Sequence, residues 1–220
     1  TTHDPHNADR ILPVPKHALI VMCELAGIQG EIELRPYFFL SDEERKAGML
    51  ASKQVSVQTS GLGASVPKKN REWPTERFQA IVARLSVEYK VVQLGAATDP
   101  PLEHVTDCRG TTSLRQTASL LANSVFYFGG EGFLMHLARA VDTPSVIVYG
   151  GRIRPDQIGY TANENLYNNV PCAPCWQYNL CDYERRCLME IGIEDVWEAI
   201  QRVQKRVGEP LTVETVASER

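Results

Sequence analysis

The alternation of short apolar segments with amphipathic segments, which starts at residue 53, constrains the fold more than any other feature. The amphipathic segments repeat apolar residues at helical spacing, as Phe78, Ile81 and Leu85 do in a helix predicted to begin at Pro74. Parallel strands joined by crossover helices produce this pattern. The sequence therefore predicts an α/β fold, a Rossmann-like parallel sheet with helices on both faces. The predicted strands are residues 54–58, 90–95, 125–128 and 145–149.

The first fifty residues lack this regularity. Prolines predict an extended conformation for residues 1–16, Ala18–Leu25 follows helical spacing up to Gly27, and Ser41 opens a capping box. The change in pattern predicts a domain boundary near residue 50. Residues 51–208 then form a ligand-binding α/β domain, and residues 209–220 form a flexible tail.

Length and charge exclude several classes of protein. A chain of 220 residues fits one large domain, or one domain and a fragment of another. The formal net charge of -4 argues against a nucleic-acid-binding protein, so no nucleic acid is expected as a partner. No apolar run approaches the roughly 20 residues that span a bilayer. The polar residues 1–9 lack the apolar core of a signal peptide and read as an internal cut or a processed end.

A basic segment, from Lys68 to Pro74, lies between the first predicted strand and its helix. Ligands of open α/β sheets bind at the carboxyl ends of the strands, where helix amino termini offer free N–H groups to phosphate. Lys69 and Arg71 are therefore candidate ligands of a diphosphate. The alternative is a solvated basic loop with Trp73 packed beneath it, which composition alone favours.

A glycine-rich turn, Gly-Gly-Glu-Gly at residues 129–132, precedes the helix that carries His136. Glycines there allow a ligand to approach the backbone closely. Glu131 is a candidate acceptor for sugar or ribose hydroxyls, and the N–H of Gly132 a candidate donor to phosphate. The spacing differs from the G-x-G-x-x-G fingerprint, which argues against a nicotinamide or flavin cofactor. His136 is interpreted first as a buried core residue and second as a functional one.

Four of the six cysteines fall within sixteen residues: Cys172, Cys175, Cys181 and Cys187. A Cys-x2-Cys pair followed by two further thiols in a short loop matches a closed tetrahedral site for zinc or iron. Such an ion would be structural, because four thiolates leave no open position for a substrate. The alternatives are free thiols packed as small apolar groups, and two disulfides. Disulfides are the least favoured, since they are rare in proteins without a secretory signal.

Several of these segments, in this order, resemble glycosyltransferase family 9, the heptosyltransferase-like enzymes. Residues 69–78 are similar to the basic-Trp-Pro segment of that family, and residues 129–140 to its acid-x-Gly-x-x-His-x-Ala-x-Ala segment. Residues 143–150 resemble the Thr-Pro-strand-Gly element that follows. The cysteine-rich segment is similar to a stretch found in part of the family. The resemblance covers roughly residues 53–204.

The resemblance implies the carboxyl-terminal half of a GT-B fold, which in the family binds a nucleotide diphosphate sugar, commonly ADP-heptose. By position in the motifs, Arg71 with Lys69 nearby would hold the diphosphate. Glu131 would face the donor sugar, Gly132 the phosphates, and His136 would support that turn.

The same resemblance places the turn that contains Gly95 and Ala97 near the ribose and base, with residues 108–113 as a second wall. The family reaction is direct transfer of the sugar, with inversion, to a saccharide or protein acceptor. No catalytic cofactor is expected, because cationic side chains and a helix dipole can stabilise the leaving diphosphate. A cytoplasmic enzyme of lipopolysaccharide biosynthesis is implied.

Four positions depart from the family pattern. Glu131 stands where the family usually has Asp, and Phe133 stands where a glycine is expected two residues after the acid. Val66 and Pro67 replace a pair of threonines before the basic residue. These departures imply that the donor sugar or its pose differs here.

Most of the amino-terminal, acceptor-side half of the GT-B fold has no counterpart in the chain, and residues 1–50 are interpreted as its remnant or its end. The catalytic base of the family belongs to that half, so no catalytic residue is assigned. A partner chain or a missing amino-terminal half would complete the enzyme. Two other functions remain open, a noncatalytic nucleotide-sugar-binding module and a nucleotide-sugar epimerase.

Overall fold

The computed structural model of the chain describes residues 16–208. The predicted flexible tail at residues 209–220 and nearly all of the predicted extended segment at residues 1–16 lie outside the described part. No helix within residues 16–208 combines the length and apolar character that crossing a membrane requires.

Six strands form one sheet in the order β3-β2-β1-β4-β5-β6, and every neighbouring pair is parallel. This confirms the predicted α/β fold with a parallel sheet. The order reverses between β1 and β4, which creates a crevice at the carboxyl ends of these two strands. The strands are β1 (Gln54–Val57), β2 (Lys90–Gln93), β3 (Thr106–Asp107), β4 (Tyr127–Gly130), β5 (Ser145–Tyr149) and β6 (Glu164–Tyr167).

Helices cover both faces of the sheet. On one face α3 and α8 pack on alternate strand residues such as Val146 and Val148, and on the other face α4 and α5 pack on Ile147 and Tyr149. This alternation is the two-residue period of a strand that is buried on both sides. The helices are α1 (Ala18–Leu25), α2 (Asp42–Ala47), α3 (Thr75–Leu85), α4 (Leu114–Ala122), α5 (Phe133–Ala140), α6 (Pro155–Ile158), α7 (Arg186–Met189) and α8 (Ile193–Gly208).

The region before residue 50 packs on the face that carries α4 and α5. The amide of Phe38 donates to the carbonyl of Ala140 (3.2 Å), and α2 packs against α4. The predicted capping box at Ser41 is present, and Gly27 has a φ of +74° directly after α1, the left-handed conformation that ends a helix there. The domain boundary near residue 50 stays a prediction.

Several details differ from the sequence-based expectations. Strand β4 is Tyr127–Gly130 instead of residues 125–128, so the first two glycines of the predicted turn belong to the strand. The third helix starts at Thr75, with Pro74 as its N-cap residue instead of its first helical residue. Strands β3 and β6 were not predicted, because both lie at sheet edges and contain polar residues that are only partly buried. Long apolar runs reveal central strands, whereas short polar edge strands leave no such signal.

Candidate functional site

A cavity of about 350 Å³ opens at the carboxyl ends of β1, β2 and β4. Here β1 leads into α3 on one face of the sheet and β4 leads into α5 on the other, so the backbone diverges and leaves a crevice. Open α/β sheets bind ligands at this place. We call it the donor cavity. Its lining includes four residues predicted from the sequence, namely Arg71, Gly95, Glu131 and Gly132.

Arg71 ends a short 3-10 turn that is held on both sides. The side-chain amide of Asn70 donates to the carbonyl of Leu180 (2.7 Å), and the indole N–H of Trp73 donates to the carbonyl of Ile191 (2.9 Å). Trp73 is packed under the basic segment, as the alternative interpretation proposed, yet Arg71 still lines the cavity. The two interpretations of this segment are therefore compatible.

Arg71 faces Glu131 across the donor cavity. The guanidinium Nη1 lies 3.5 Å from the Oε1 of Glu131, and the two side chains are 11% and 4% exposed. The Nε of Arg71 and the Oε1 of Glu131 are buried and have no hydrogen-bond partner. Buried polar groups are nearly always hydrogen-bonded. The pair thus balances charge but leaves donor and acceptor capacity for a ligand.

The amino terminus of α5 forms the wall beside this pair. Gly132 is the N-cap residue and supplies no side-chain cap, so the free N–H groups of the first turn are not occupied by a side chain. A Cβ atom on Gly132 would lie 3.8 Å from the Nη1 of Arg71. A helix amino terminus and a guanidinium at one place together suit an anion.

Two further carboxylates, which were not predicted, line the donor cavity. The Oε1 of Glu72 accepts the amide N–H of Gly61 (3.0 Å), and burial raises the pKa of Glu72. The Oδ2 of Asp99 accepts a hydrogen bond from the amide N–H of Ala96 (3.0 Å), and burial likewise raises the pKa of Asp99. Both residues tie a loop of the cavity in place. Asp99 also accepts a hydrogen bond from the side-chain amide of Gln58 (3.3 Å), so both carboxylates hold segments that are distant in the sequence, which no local motif reveals.

The remaining predicted donor residues lie outside the cavity lining. The imidazole Nδ1 of His136 lies 2.6 Å from the hydroxyl of Tyr160, and burial lowers the pKa of His136, with a smaller contribution from His17. This placement matches a core histidine behind the turn. Ala97 packs next to Gly110, and Lys69 lines a neighbouring groove on the surface.

Comparisons with known proteins identify the family of the chain. A sequence profile of glycosyltransferase family 9 (heptosyltransferase) matches residues 27–181. The chain belongs to glycosyltransferase family 9. No curated protein matches it at a significant level.

Solved structures of this family share the fold. TibC, an iron-containing dodecameric glycosyltransferase of enterotoxigenic E. coli H10407, is 20% identical with a TM-score of 0.64, over 81% of this chain and 52% of TibC. ADP-heptose lps heptosyltransferase II of E. coli is 20% identical with a TM-score of 0.63, over 81% and 56% of the two chains. A family 9 glycosyltransferase of Veillonella parvula DSM 2008 is 16% identical with a TM-score of 0.64, over 90% and 63%. The chain thus spans less than two thirds of each of these proteins.

In this family 9 chain the cysteine-rich segment, residues 172–187, follows β6 and lies beside the basic turn. We call it the cysteine loop. The thiol of Cys187 accepts the amide N–H of Gly151 (3.1 Å), and that of Cys181 accepts the amide N–H of Arg185 (3.3 Å). All six cysteines of the chain are free thiols.

Thiols of the cysteine loop lie close enough to one another to influence each other's pKa. Burial raises the pKa of Cys175 and of Cys187, and neighbouring thiols of the loop raise both further. Even so, no three His, Cys, Asp or Glu side chains in the described part of the chain are grouped so that they could hold a metal ion. The donor set fits zinc or iron in number and chemistry, whereas its present spacing does not form a coordination shell.

Proposed function

We propose that this chain is the donor-binding half of a glycosyltransferase that uses a nucleoside diphosphate sugar. The observation that carries the proposal is the buried Arg71–Glu131 pair, which faces the open amino terminus of α5 inside the donor cavity. Both groups retain hydrogen-bonding capacity. A diphosphate matches the cation and the helix amino terminus, and a sugar hydroxyl matches the carboxylate.

The roles of the donor residues follow from this placement. Arg71 and the N–H groups after Gly132 bind the diphosphate and stabilise the negative charge that builds up as it leaves. Glu131 accepts hydrogen bonds from the hydroxyls of the donor sugar. The turn at Gly95 lies at the end of β2 and borders the ribose. This set of contacts needs no metal ion at the diphosphate.

Lys69, Ala97 and His136 act in this proposal from outside the cavity lining. Lys69 adds positive charge near the diphosphate. Ala97 shapes the turn beside the ribose through its contact with Gly110. His136 fixes the helix behind Glu131 through Tyr160.

An ADP-heptose-like donor has support from the family structures. TibC has been solved in complex with ADP-D-β-D-heptose, with 19% identity and a TM-score of 0.61 over 74% of this chain and 48% of TibC. The reaction would be an inverting transfer to a saccharide or protein acceptor, in the cytoplasm and within lipopolysaccharide biosynthesis. Inversion needs a base on the acceptor. We assign that base to an amino-terminal half or a partner chain.

A noncatalytic nucleotide-sugar-binding module is the second candidate. One observation favours it: the roles given above to the residues of the cavity all serve the donor, and no base for an acceptor is assigned among the described residues. Catalysis requires both reactants to be held together, and a donor half alone holds one of them. Assaying sugar transfer by the purified chain, with a saccharide acceptor, separates the two candidates.

We also propose that Cys172, Cys175, Cys181 and Cys187 hold a structural zinc or iron ion. The cysteine loop contains three non-glycine residues at positive φ, namely Trp176, Glu184 and Arg185. Such conformations are unfavourable for L-residues and persist where the surroundings hold them. An ion bound by the thiolates would supply that constraint by drawing the sulfur atoms together. TibC, which has the same fold, is described as iron-containing.

Calorimetry with ADP, UDP and GDP tests the donor proposal. We expect one preferred nucleotide, and binding that is weaker by about tenfold or more in Arg71→Ala, because a charge-assisted contact contributes about 1.5–3 kcal/mol. Arg206→Ala is the matched control, since Arg206 pairs with Glu164 and does not line the cavity. If the wild-type chain binds none of the three nucleotides, the donor proposal is wrong.

A further inference from the structure

The mouth of the donor cavity carries two exposed apolar side chains. Phe133 is 61% exposed and Leu114 is 49% exposed, and both line the cavity. They are the first residues of α5 and α4, two helices that pack against each other. Other apolar residues of α5, such as Leu134 and Met135, are buried. Among the apolar residues of α5 the exposure is therefore confined to Phe133, the first residue of the helix.

Two other segments that line the cavity, after β1 and after β2, contribute residues with small side chains or none. Gly63 and Ala64 come from the loop after β1, and Gly95 and Ala96 from the turn after β2. Small residues and an aromatic ring thus line the same cavity, which suits a flat group. A ligand that fills the whole cavity must then combine an anionic part with a flat, weakly polar part.

The order of the strands indicates which part of the ligand meets the ring. The charged pair lies where β1 and β4 diverge, whereas Leu114 follows β3, on the other side of β2. A donor whose diphosphate lies at Arg71 and whose sugar lies at Glu131 extends its nucleoside toward β2 and Leu114. Phe133 lines the same cavity at the start of α5, and α5 packs against α4, the helix that Leu114 begins.

We propose that Phe133 is a nucleotide-binding residue whose ring, together with Leu114, packs against the nucleobase of the donor. The inference rests on the proposed nucleoside diphosphate site and adds a contact that the family resemblance does not supply, since a glycine is expected at this position. Stacking of a base on an aromatic ring is favourable and tolerates different bases. The adjoining polar cavity would then fix which nucleotide is preferred.

The test compares two probes that share the diphosphate and differ in the nucleoside, ADP and inorganic pyrophosphate. We expect Phe133→Ala to weaken ADP binding by about tenfold, the effect typical of one lost stacking contact. Pyrophosphate binding should change by less than about twofold, because it makes no contact with the ring. Phe39→Ala is the matched control, since Phe39 is an exposed aromatic residue outside the cavity.

A conservative variant supplies a readout that a purely structural role would not produce. Phe133→Trp should retain ADP binding, and its added indole fluorescence should be quenched by ADP but not by pyrophosphate. Equal losses for both probes in Phe133→Ala would overturn the stacking role, as would unchanged ADP binding. If the wild-type chain binds neither probe, the donor site and the stacking role are both wrong. ADP binding that survives in Phe133→Ala overturns the stacking role alone.

Discussion

The donor cavity and the cysteine loop both lie on the side of the sheet where the strands have their carboxyl ends, but different features determine their geometry. Strand ends, a helix amino terminus and the Arg71–Glu131 pair shape the donor cavity. The cysteine loop contains no strand, has a helix only at its end, and includes three non-glycine residues at positive φ. Regular structure thus organises the cavity, whereas the loop contains backbone conformations that its surroundings must hold.

The polar groups of the donor cavity and of the cysteine loop differ in the same way. In the donor cavity, buried groups of Arg71 and Glu131 are fixed by the fold and remain without hydrogen-bond partners. In the cysteine loop, two thiols accept backbone N–H groups, but no three ligands are grouped for a metal. Changes in the loop should therefore affect stability, and changes in the cavity should affect binding.

The largest effect is expected from the cysteine loop. Cys175→Ser should reduce the metal content from about one ion per chain to less than about 0.2, because a four-ligand site loses one thiolate. The melting temperature should fall by roughly 10 °C if several kcal/mol of structural stabilisation are lost. Elemental analysis and calorimetric unfolding of protein purified without chelator measure both quantities.

Cys108→Ser is the control for this experiment, because Cys108 is a partly buried thiol outside the loop. It should leave the metal content unchanged. If the cavity and the loop are organised independently, Cys175→Ser should lower the melting temperature and leave the affinity for ADP nearly unchanged. A wild-type chain with less than about 0.2 metal per chain and four freely titratable loop thiols would exclude the site.

An intermediate effect is expected in the donor cavity from Glu131→Gln. Glu131 lies 3.5 Å from Arg71 and competes with a diphosphate for its charge. Removing the negative charge while keeping the shape should strengthen binding of ADP by about threefold to tenfold, since one charge pair in a partly shielded site contributes on the order of 1 kcal/mol. Calorimetry measures it. Weaker ADP binding in Glu131→Gln would show that Glu131 positions Arg71 instead of competing for it.

The sequence predicted the central part of this site and missed its support. Arg71, Glu131 and Gly132 were found because each belongs to a short motif at a strand-to-helix turn, where a parallel sheet places its ligands. Glu72 and Asp99 were missed because each binds a partner that is distant in the sequence, the amide N–H of Gly61 for Glu72 and the side-chain amide of Gln58 for Asp99. The cysteine spacing limited the choice to a metal, free thiols or disulfides, but spacing alone does not fix where four sulfur atoms lie in space.

The smallest effect is a change in the pH dependence of stability. Burial raises the pKa of Glu72, so the folded state binds its proton more tightly than the unfolded state does. Stability from this group is then present below the unfolded pKa and is lost as pH rises through the folded pKa. Glu72→Gln should therefore become more stable relative to wild type as the pH rises from about 5 to about 8, because the variant has no carboxyl group to ionise at this buried position. Urea unfolding at the two pH values measures it.

Glu44 provides the opposite sign for comparison. Its hydrogen bond with Arg115 lowers the pKa of Glu44 to about 2, so its contribution is present at neutral pH and is lost as pH falls from about 4.5 toward about 2. Glu44→Gln should therefore approach the wild-type stability as the solution is acidified. Equal pH dependence of Glu72→Gln and wild type would show that burial of Glu72 has no energetic effect.

The most direct test of the donor site is a crystal structure of the chain with bound ADP. The account predicts the diphosphate within about 3 Å of the Arg71 guanidinium and of the N–H groups at the start of α5, the distance of a charge-assisted hydrogen bond. It also predicts the adenine between Phe133 and the turn at Gly95. ADP bound elsewhere on the chain, with the Arg71–Glu131 pair unchanged, would contradict the account.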